Sequence, residues 1–197
     1  MIKIGLTGSI GMGKSAVAAM FADEGIAVFD ADATVRALQG PGGRLNAAIE
    51  AAFPGTTGPG GVDRGELGAR VFGNKPELRR LEAIVHPAVG EERAAFLARH
   101  ADDDMVVFDV PLLFETGGDR NVDVTVVVSA GPEVQAERVL ARPSMTRQRF
   151  DEIIAAQLPD AEKRARADYI IPTDCSMDRT RAAVRTVIAC VRASQDR

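Results

Sequence analysis

Residues 8–15 read G-S-I-G-M-G-K-S, which fits the pattern G-x-x-x-x-G-K-S of loops that cradle nucleotide phosphates. Before this loop, the apolar residues 2–7 predict a buried strand, and after it residues 16–24 predict a helix. Such a loop needs this context, because glycines let backbone N–H groups turn inward and the N-terminus of a helix favours anions. Lys14 is expected to reach the β- and γ-phosphates, and the Ser15 hydroxyl is expected to bind Mg²⁺.

The composition is that of one compact domain with a substantial core. The chain has 197 residues, of which 46% are hydrophobic, and its net charge is −4 at pH 7. This negative charge argues against a protein whose main task is to hold nucleic acid. No apolar run reaches the roughly 18 residues of a membrane-spanning helix, and we expect no signal peptide and no membrane partner.

Cysteine and histidine are scarce. Cys175 and Cys190 lie far apart without the spacing of metal ligands, and the chain has only two histidines, so no zinc site is expected. Two unpaired cysteines are typical of a reducing compartment, and we therefore expect a cytoplasmic protein. Only four of the 24 basic residues are lysines, and Lys14 is one of them.

Five segments predict the strands of an α/β fold. They are residues 2–7, 27–29, 105–110, 122–128 and 169–171. The third and fourth are almost continuously apolar, as expected for strands that are covered on both faces. Helical patterns lie between the strands, so we expect a mostly parallel five-stranded sheet flanked by helices, with ligands at the carboxyl ends of its strands.

Two segments are longer than the connections that a minimal sheet of this kind needs. Residues 33–104 contain helical patterns around a Gly/Pro/Thr-rich loop at residues 54–61, and an insertion of this length needs a small core of its own. Residues 132–167 predict two amphipathic helices that are separated near Pro143. His86 precedes a proline, which favours extended backbone and predicts a helix boundary there.

Acidic residues follow two of the predicted strands. Asp30 and Asp32 come after the second strand, where alternation would point both carboxylates toward the phosphate site. A kinase acting on a hydroxyl needs a carboxylate to orient that hydroxyl and accept its proton, whereas helix capping would explain one of the two. Asp109 ends the third strand and is expected to support Mg²⁺, with a turn residue before Pro111 as the alternative.

The segment 132–167 is also rich in arginine. A guanidinium group that closes over the γ-phosphoryl group would stabilise the charge of the transition state and exclude water. Arg142, next to Pro143, is the preferred candidate, and a solvated helix face is the alternative. The arginines of this segment are Arg138, Arg142, Arg147, Arg149, Arg164 and Arg166.

With these patterns assembled, the chain resembles the dephospho-CoA kinase family. The resemblance is carried by the phosphate loop, D-A-D at residues 30–32, L-E-A-I-V-H-P at residues 81–87 and V-P-L-L-F-E at residues 110–115. The tract from Arg138 through Gln157 to Asp168 adds to it, and the likeness extends from residue 2 to about residue 172.

The resemblance implies a P-loop kinase that transfers the γ-phosphoryl group of ATP to the 3′-hydroxyl of dephospho-CoA, giving CoA and ADP, with Mg²⁺. It implies a single domain with its core at about 1–32, 105–131 and 168–197. The CoA-binding helical insertion would then span about 33–104 and the helical lid about 132–167.

Roles follow by position from the same resemblance. Asp32 would be the catalytic base, with Lys14 and Arg142 as further catalytic residues, and Ser15 and Asp109 would hold the metal. The nucleotide would be bound by Gly8, Gly11, Met12, Gly13, Lys14, Ser15, Ala16, Arg138 and Arg142. The acceptor would be bound by Asp30, Asp32, Arg64, Arg80, His86, Leu112 and Leu113.

The chain departs from the family pattern at three places. Met12 replaces the usual Ser, and Ala16 replaces the usual Thr. Because backbone N–H groups do most of the phosphate binding in such loops, we expect binding to survive both changes. Residues 172–174, P-T-D, replace an Asn-x-Gly segment near the adenine, which leaves the adenine contacts of this chain open.

Two other functions compete with this interpretation. One is another P-loop kinase of small molecules, of the nucleoside monophosphate or shikimate type, and the long insertion argues against it. The other is an ATP-binding switch without kinase activity, which the D-A-D pattern and the arginine-rich lid argue against. The expected partners are the small-molecule substrates, and the chain is expected to be a monomer or a small homo-oligomer.

Overall fold

The structure is a computed structural model that describes residues 1–195. The strands are β1 (Ile2–Thr7), β2 (Ala27–Asp30), β3 (Thr57–Gly58), β4 (Gly61–Val62), β5 (Met105–Asp109), β6 (Val124–Ser129) and β7 (Tyr169–Pro172). The α-helices are α1 (Lys14–Asp23), α2 (Ala31–Gln39), α3 (Asn46–Ala52), α4 (Arg64–Val71), α5 (Lys75–Arg99), α6 (Pro132–Leu140), α7 (Arg147–Ala155), α8 (Asp160–Arg166) and α9 (Met177–Gln195), and a short 3₁₀ helix spans Gly118–Asn121. The chain forms two compact units, one of residues 30–101 and one of the remainder.

The first unit is built on a five-stranded sheet in the order β2-β5-β1-β6-β7. The pairs β1–β5, β1–β6 and β6–β7 are parallel, and Leu6 lies opposite Asp109 in the first of these pairs. All five predicted strands are confirmed, as is the α/β fold. Because β1 is the central strand, the loop that follows it emerges between the carboxyl ends of β5 and β6, where such folds bind ligands.

Burial explains why these segments become strands. Every residue of β5 is buried, and β6 is buried from its second residue onward, as expected when helices cover both faces of a parallel sheet. Helices α1 and α9 supply apolar side chains to one core with the sheet. The side chains of this core with no exposed surface are Ile4, Leu6, Val17, Phe21, Val107, Val126, Val128, Ile171, Val184 and Val191.

The second unit is mostly helical, with its own small core. Helices α2 to α5 surround a cluster of buried residues, and a two-stranded antiparallel hairpin, β3–β4, lies in the predicted Gly/Pro/Thr-rich loop. The buried members of the cluster are Leu38, Leu45, Ile49, Phe53, Leu67, Val71 and Ala88.

The helix boundary predicted at His86 is wrong. Helix α5 continues through Pro87 as one element of 25 residues. His86 and Pro87 are exposed while Ala88 is buried, so the proline faces solvent and core packing of the following residue continues the helix. Tertiary packing here outweighs the local preference of proline.

The segment 132–167 forms three helices rather than the expected two. Helix α7 ends at Ala155, and α8 begins at Asp160 after Pro159, which has the extended angles φ −53° and ψ 141°. A proline disfavours helical geometry in the residue before it, which accounts for this second break. No helix within residues 1–195 has both the length and the apolar character to cross a bilayer.

A matched pair of leucines tests the packing of the first unit. Leu6 has no exposed surface, whereas Leu140 is 36% exposed. Leu6→Ala should lower the free energy of unfolding by about 2–5 kcal/mol, because it leaves a cavity under the phosphate loop, and Leu140→Ala should cost clearly less. Urea denaturation of both variants measures the difference, and equal losses would contradict the assigned core.

Candidate active site

The phosphate loop has a backbone that only glycine adopts comfortably. Gly11 and Gly13 have φ of 79° and 88°, in the left-handed region. A Cβ at Gly11 would lie 2.5 Å from Val139 Cγ2, and one at Gly8 would lie 2.7 Å from the Val128 carbonyl oxygen. The loop therefore needs glycine both for its turns and for its close approach to β6 and α6.

Helix α1 begins at Lys14, directly after Gly13. The first N–H groups of a helix have no intrahelical acceptor and carry partial positive charge, so those of Lys14 and Ser15 are suited to an anion. Ala16 follows in the same turn, and its side chain is exposed.

The main chain of Ile10 is held by two glutamine side chains. Its N–H, in the Ser9–Ile10 peptide, donates to Gln157 Oε1 at 3.1 Å, and its carbonyl, in the Ile10–Gly11 peptide, accepts from Gln135 Nε2 at 2.7 Å. Gln135 is buried on α6, and Gln157 lies between α7 and α8. Two separate parts of the segment 132–167 thus contact the two peptide groups that flank Ile10.

The Met12 carbonyl is held by Thr173, in the segment of residues 172–174 that departs from the family pattern. Thr173 Oγ1 donates to the Met12 carbonyl at 2.6 Å, and the Ala130 N–H donates to Met12 Sδ at 3.1 Å. Arg138 donates to Thr173 Oγ1 at 3.0 Å and to the Thr173 carbonyl at 2.6 Å. The structure thus places Arg138 against the back of the loop, where it also reaches the Gly11 carbonyl at 3.5 Å.

Lys14 and Asp109 form an ion pair between the phosphate loop and the end of β5. Asp109 is 4% exposed, and the side chain of Lys14 is 16% exposed. A buried carboxylate therefore fixes the lysine ammonium that the motif needs for phosphate.

Ser15 and Asp109 supply hydroxyl and carboxylate oxygens, the donor types that Mg²⁺ prefers. Within the described part of the chain, no three His, Cys, Asp or Glu side chains form a metal cluster. The donors nevertheless fit Mg²⁺, because this ion usually takes one or two protein ligands and completes its shell with water and substrate phosphates.

In the second unit, Asp30 and Asp32 have different environments. Asp30 is the N-cap of α2, where its Oδ1 accepts the Ala33 N–H at 2.8 Å and its Oδ2 lies 3.6 Å from Arg36. Asp32 is exposed in the first turn of α2, so strand alternation does not govern where it points. Within residues 1–195 the Asp32 carboxylate has no hydrogen-bond or ion-pair partner in the protein.

Asp32 and Arg64 line one cavity of about 280 Å³ in the second unit, with Val35, Arg36 and Gln39. The structure places the other expected acceptor residues of this unit elsewhere on its surface. Arg80 lies over the Phe53 ring at 5.4 Å, and His86 is on the exposed side of α5.

The remaining expected residues lie in the first unit. Leu113 is 1% exposed and packs against Gly5 of β1, whereas Leu112 is 39% exposed. Arg142 is exposed just after α6, and Ser144 in the same turn has a φ of 63°. A further cavity of about 250 Å³ lies at the carboxyl ends of β6 and β7, lined by residues that include Gly131, Pro132, Asp160, Pro172 and Asp174.

Sequence reasoning missed a buried ion pair beside this site. Lys163 has no exposed surface, and its Nζ lies 2.8 Å from Glu115 Oε1. Burial by itself raises the pKa of the Glu115 carboxyl, but Lys163 and the Leu158 N–H together hold that pKa below its ordinary value. The scarcity of lysine was the available signal, since Lys163 is one of only four in the chain.

Gln135, Gln157 and Thr173 were also missed as residues that contact the loop. Their positions gave no signal from composition or periodicity, because their partners are main-chain groups of residues 10–12. Such contacts depend on long-range packing rather than on a local pattern.

The central parallel strand, the glycine-dependent loop and the Lys14–Asp109 pair define a kinase of the P-loop class. Comparison with known proteins then identifies the family. The family model for dephospho-CoA kinase matches residues 2–179. The chain is 58% identical over 194 residues to the dephospho-CoA kinase of Novosphingobium aromaticivorans, covering 98% of this chain and 96% of the relative. It belongs to the dephospho-CoA kinase family.

One further relative has the same name, and two solved structures are similar in fold. The dephospho-CoA kinase of Nitrobacter winogradskyi is 51% identical over 191 residues, covering 96% of this chain and 95% of the relative. A crystal structure from Thermus thermophilus has a TM-score of 0.83 at 35% identity, covering 95% of this chain and 96% of the other. Shikimate kinase from Acinetobacter baumannii shares the fold alone, with a TM-score of 0.54 at 16% identity and coverage of 98% and 94%.

Substitutions at two glycines with nearly the same φ distinguish the effect of backbone strain from the effect of crowding in the loop. Gly25 has a φ of 81°, and a Cβ there would meet no atom within 4 Å, whereas Gly11 is crowded by Val139. Both Gly→Ala variants should lose stability from the left-handed backbone, by about 1 kcal/mol. Only Gly11→Ala should weaken ATP binding, by about tenfold or more, because the loop must move.

Calorimetric titration with ATP measures this difference. An unchanged ATP affinity in Gly11→Ala would show that the close approach of the loop to α6 is not needed for nucleotide binding.

Proposed function

We propose that this protein transfers the γ-phosphoryl group of ATP to the ribose 3′-hydroxyl of dephospho-CoA, giving CoA and ADP. The observation that carries the proposal is an intact phosphate loop, with Lys14 fixed by Asp109, in a chain of the dephospho-CoA kinase family. Catalysis of phosphoryl transfer depends mainly on positioning the phosphates and on stabilising their negative charge, and this loop is suited to both.

In this proposal the nucleotide phosphates lie in the loop from Gly8 to Ser15. The N–H groups at the start of α1 donate to phosphate oxygens, and Lys14 neutralises charge on the β- and γ-phosphates. Ser15 would hold Mg²⁺ directly and Asp109 would hold it directly or through water. The ion would supply charge neutralisation on the transferred group.

We assign the acceptor hydroxyl to Asp32 rather than to Asp30. Asp30 is occupied as the cap of α2, whereas Asp32 has no partner among the described residues. A free carboxylate in a cavity can orient a hydroxyl and accept its proton. Arg64, in the same cavity, is suited to an anionic or polar part of the acceptor.

The remaining expected residues keep their assigned roles as proposals. Arg142 would close over the phosphates during transfer, and Arg138 would act near the nucleotide from its place behind the loop. The insertion of about 33–104 would bind the acceptor, with Arg80 and His86 as contacts. Leu112 and Leu113, which follow the insertion, would line the acceptor pocket, and residues 132–167 would form the lid. We further propose a cytoplasmic protein that is a monomer or a small homo-oligomer.

An acceptor panel tests the function directly. Purified protein with ATP and Mg²⁺ should release ADP stoichiometrically with consumed dephospho-CoA, and mass spectrometry should show one added phosphate. Turnover with AMP or shikimate but none with dephospho-CoA would favour another small-molecule kinase. ATP binding without turnover of any acceptor would favour a switch.

The Asp32 carboxylate is tested by a matched pair of substitutions. Asp32→Asn should lower kcat by about 100-fold or more while ATP affinity stays within about twofold, because the base is lost and the phosphate loop is untouched. Asp23→Asn, at an exposed aspartate at the end of α1, should leave both values unchanged. Near-normal turnover by Asp32→Asn would exclude Asp32 as the base.

A further inference from the structure

The linker between α7 and α8 contacts two separate loops of the first unit through adjacent residues. Gln157 accepts the Ile10 N–H of the phosphate loop through its side chain at 3.1 Å. Leu158 donates its main-chain N–H to Glu115 Oε1 at 2.9 Å. We call residues 157–158 the crossbar, because they join the phosphate loop to the loop of residues 111–115.

A buried charge fixes the far end of the crossbar. Lys163, on α8, has no exposed surface, and the carboxylate beside it belongs to Glu115. The Lys163 ammonium has no well-aligned hydrogen bond within the described residues, so this ion pair is what compensates its burial. A buried charge is costly when it loses its only partner, so any movement that separates Lys163 from Glu115 is strongly disfavoured.

The near end of the crossbar holds one of the two peptide groups that flank Ile10 in the phosphate loop. Gln157 accepts the N–H of the Ser9–Ile10 peptide, and Gln135 donates to the carbonyl of the Ile10–Gly11 peptide, so neither peptide can rotate without losing a hydrogen bond. The N–H of Ile10 is therefore not available to phosphate. The loop can direct later N–H groups, at the start of α1, toward the nucleotide.

The loop of residues 111–115 is also tied to β1. Thr7, the residue before the phosphate loop, donates its hydroxyl to the Pro111 carbonyl at 3.0 Å. The two loops are therefore joined directly at Thr7 and again through the crossbar at Glu115. Two attachments fix the relative orientation of two loops better than one does.

We propose that Gln157, Glu115 and Lys163 are positioning residues for phosphoryl transfer, which hold the phosphate loop in its nucleotide-binding conformation through the crossbar. This proposal depends on the function proposed above only for the identity of the reaction that the three residues support. None of the three residues needs to touch a substrate for this role. Their effect is on ATP binding, because it passes through the Ile10 N–H of the phosphate loop.

A thermodynamic cycle tests the proposal. Gln157→Met removes the acceptor of the Ile10 N–H at similar size. The variant E115A/K163M removes both charges of the pair and the acceptor of the Leu158 N–H, and it leaves no buried charge alone. A third protein combines all three substitutions. ATP dissociation constants are measured by calorimetry without acceptor, and kcat and KM for dephospho-CoA are measured separately.

Gln157→Met should raise the ATP dissociation constant by about tenfold, and E115A/K163M by about threefold or more. The triple variant should lose at most about twofold beyond Gln157→Met, because both changes act through the same linker. KM for dephospho-CoA should stay within about twofold in Gln157→Met. The control variants Gln148→Met and Glu162→Ala, at exposed positions of α7 and α8, should bind ATP normally.

Three outcomes would overturn the proposal. One is a normal ATP affinity in Gln157→Met. Another is a lower melting temperature with unchanged ATP affinity in E115A/K163M. The third is a loss of ATP affinity in the triple variant that equals the product of the two separate losses. Since ATP binding is measured without acceptor, these outcomes keep their meaning even if dephospho-CoA proves not to be the acceptor.

Discussion

A phosphate-binding loop must point its N–H groups outward to the ligand while its other polar groups are satisfied from behind. Buried main-chain groups without partners are costly, so the rear of the loop needs its own hydrogen bonds. Here side chains provide them: Gln157 accepts the Ile10 N–H, Gln135 donates to the Ile10 carbonyl, and Thr173 donates to the Met12 carbonyl. These side chains come from α6, from the linker before α8 and from the end of β7, so the loop depends on most of the first unit.

This arrangement includes two of the places where the chain departs from the family pattern. Met12 is almost fully buried, and its sulfur accepts the Ala130 N–H, so the residue packs inward and leaves the phosphate side to the main chain. Thr173, in the segment that replaces Asn-x-Gly, supplies the hydroxyl that holds the Met12 carbonyl. Two of the three departures thus contact each other, and Arg138 donates to the Thr173 carbonyl in turn.

Much of the first unit could be predicted from the sequence, because its information is local. Continuous apolar runs gave the strands, and the glycine pattern gave the loop. The local pattern could not say which of Asp30 and Asp32 caps a helix, and it was the resemblance that assigned the base to Asp32. The start of α2 at Ala31 makes Asp30 the cap. The course of α5 through Pro87 and the burial of Lys163 depend on packing against distant residues, which no local pattern encodes.

The phosphate loop is fixed from behind, while the N–H groups at the start of α1 are left free for phosphate. Amide hydrogen exchange measured by NMR at single residues tests it most directly. The Ile10 amide should be protected in the nucleotide-free protein, and the Lys14 and Ser15 amides should become protected only when ATP is added. Exchange of Ile10 as fast as that of Lys14 without nucleotide, or no change at Lys14 and Ser15 on ATP binding, would show that the loop is not held in this way.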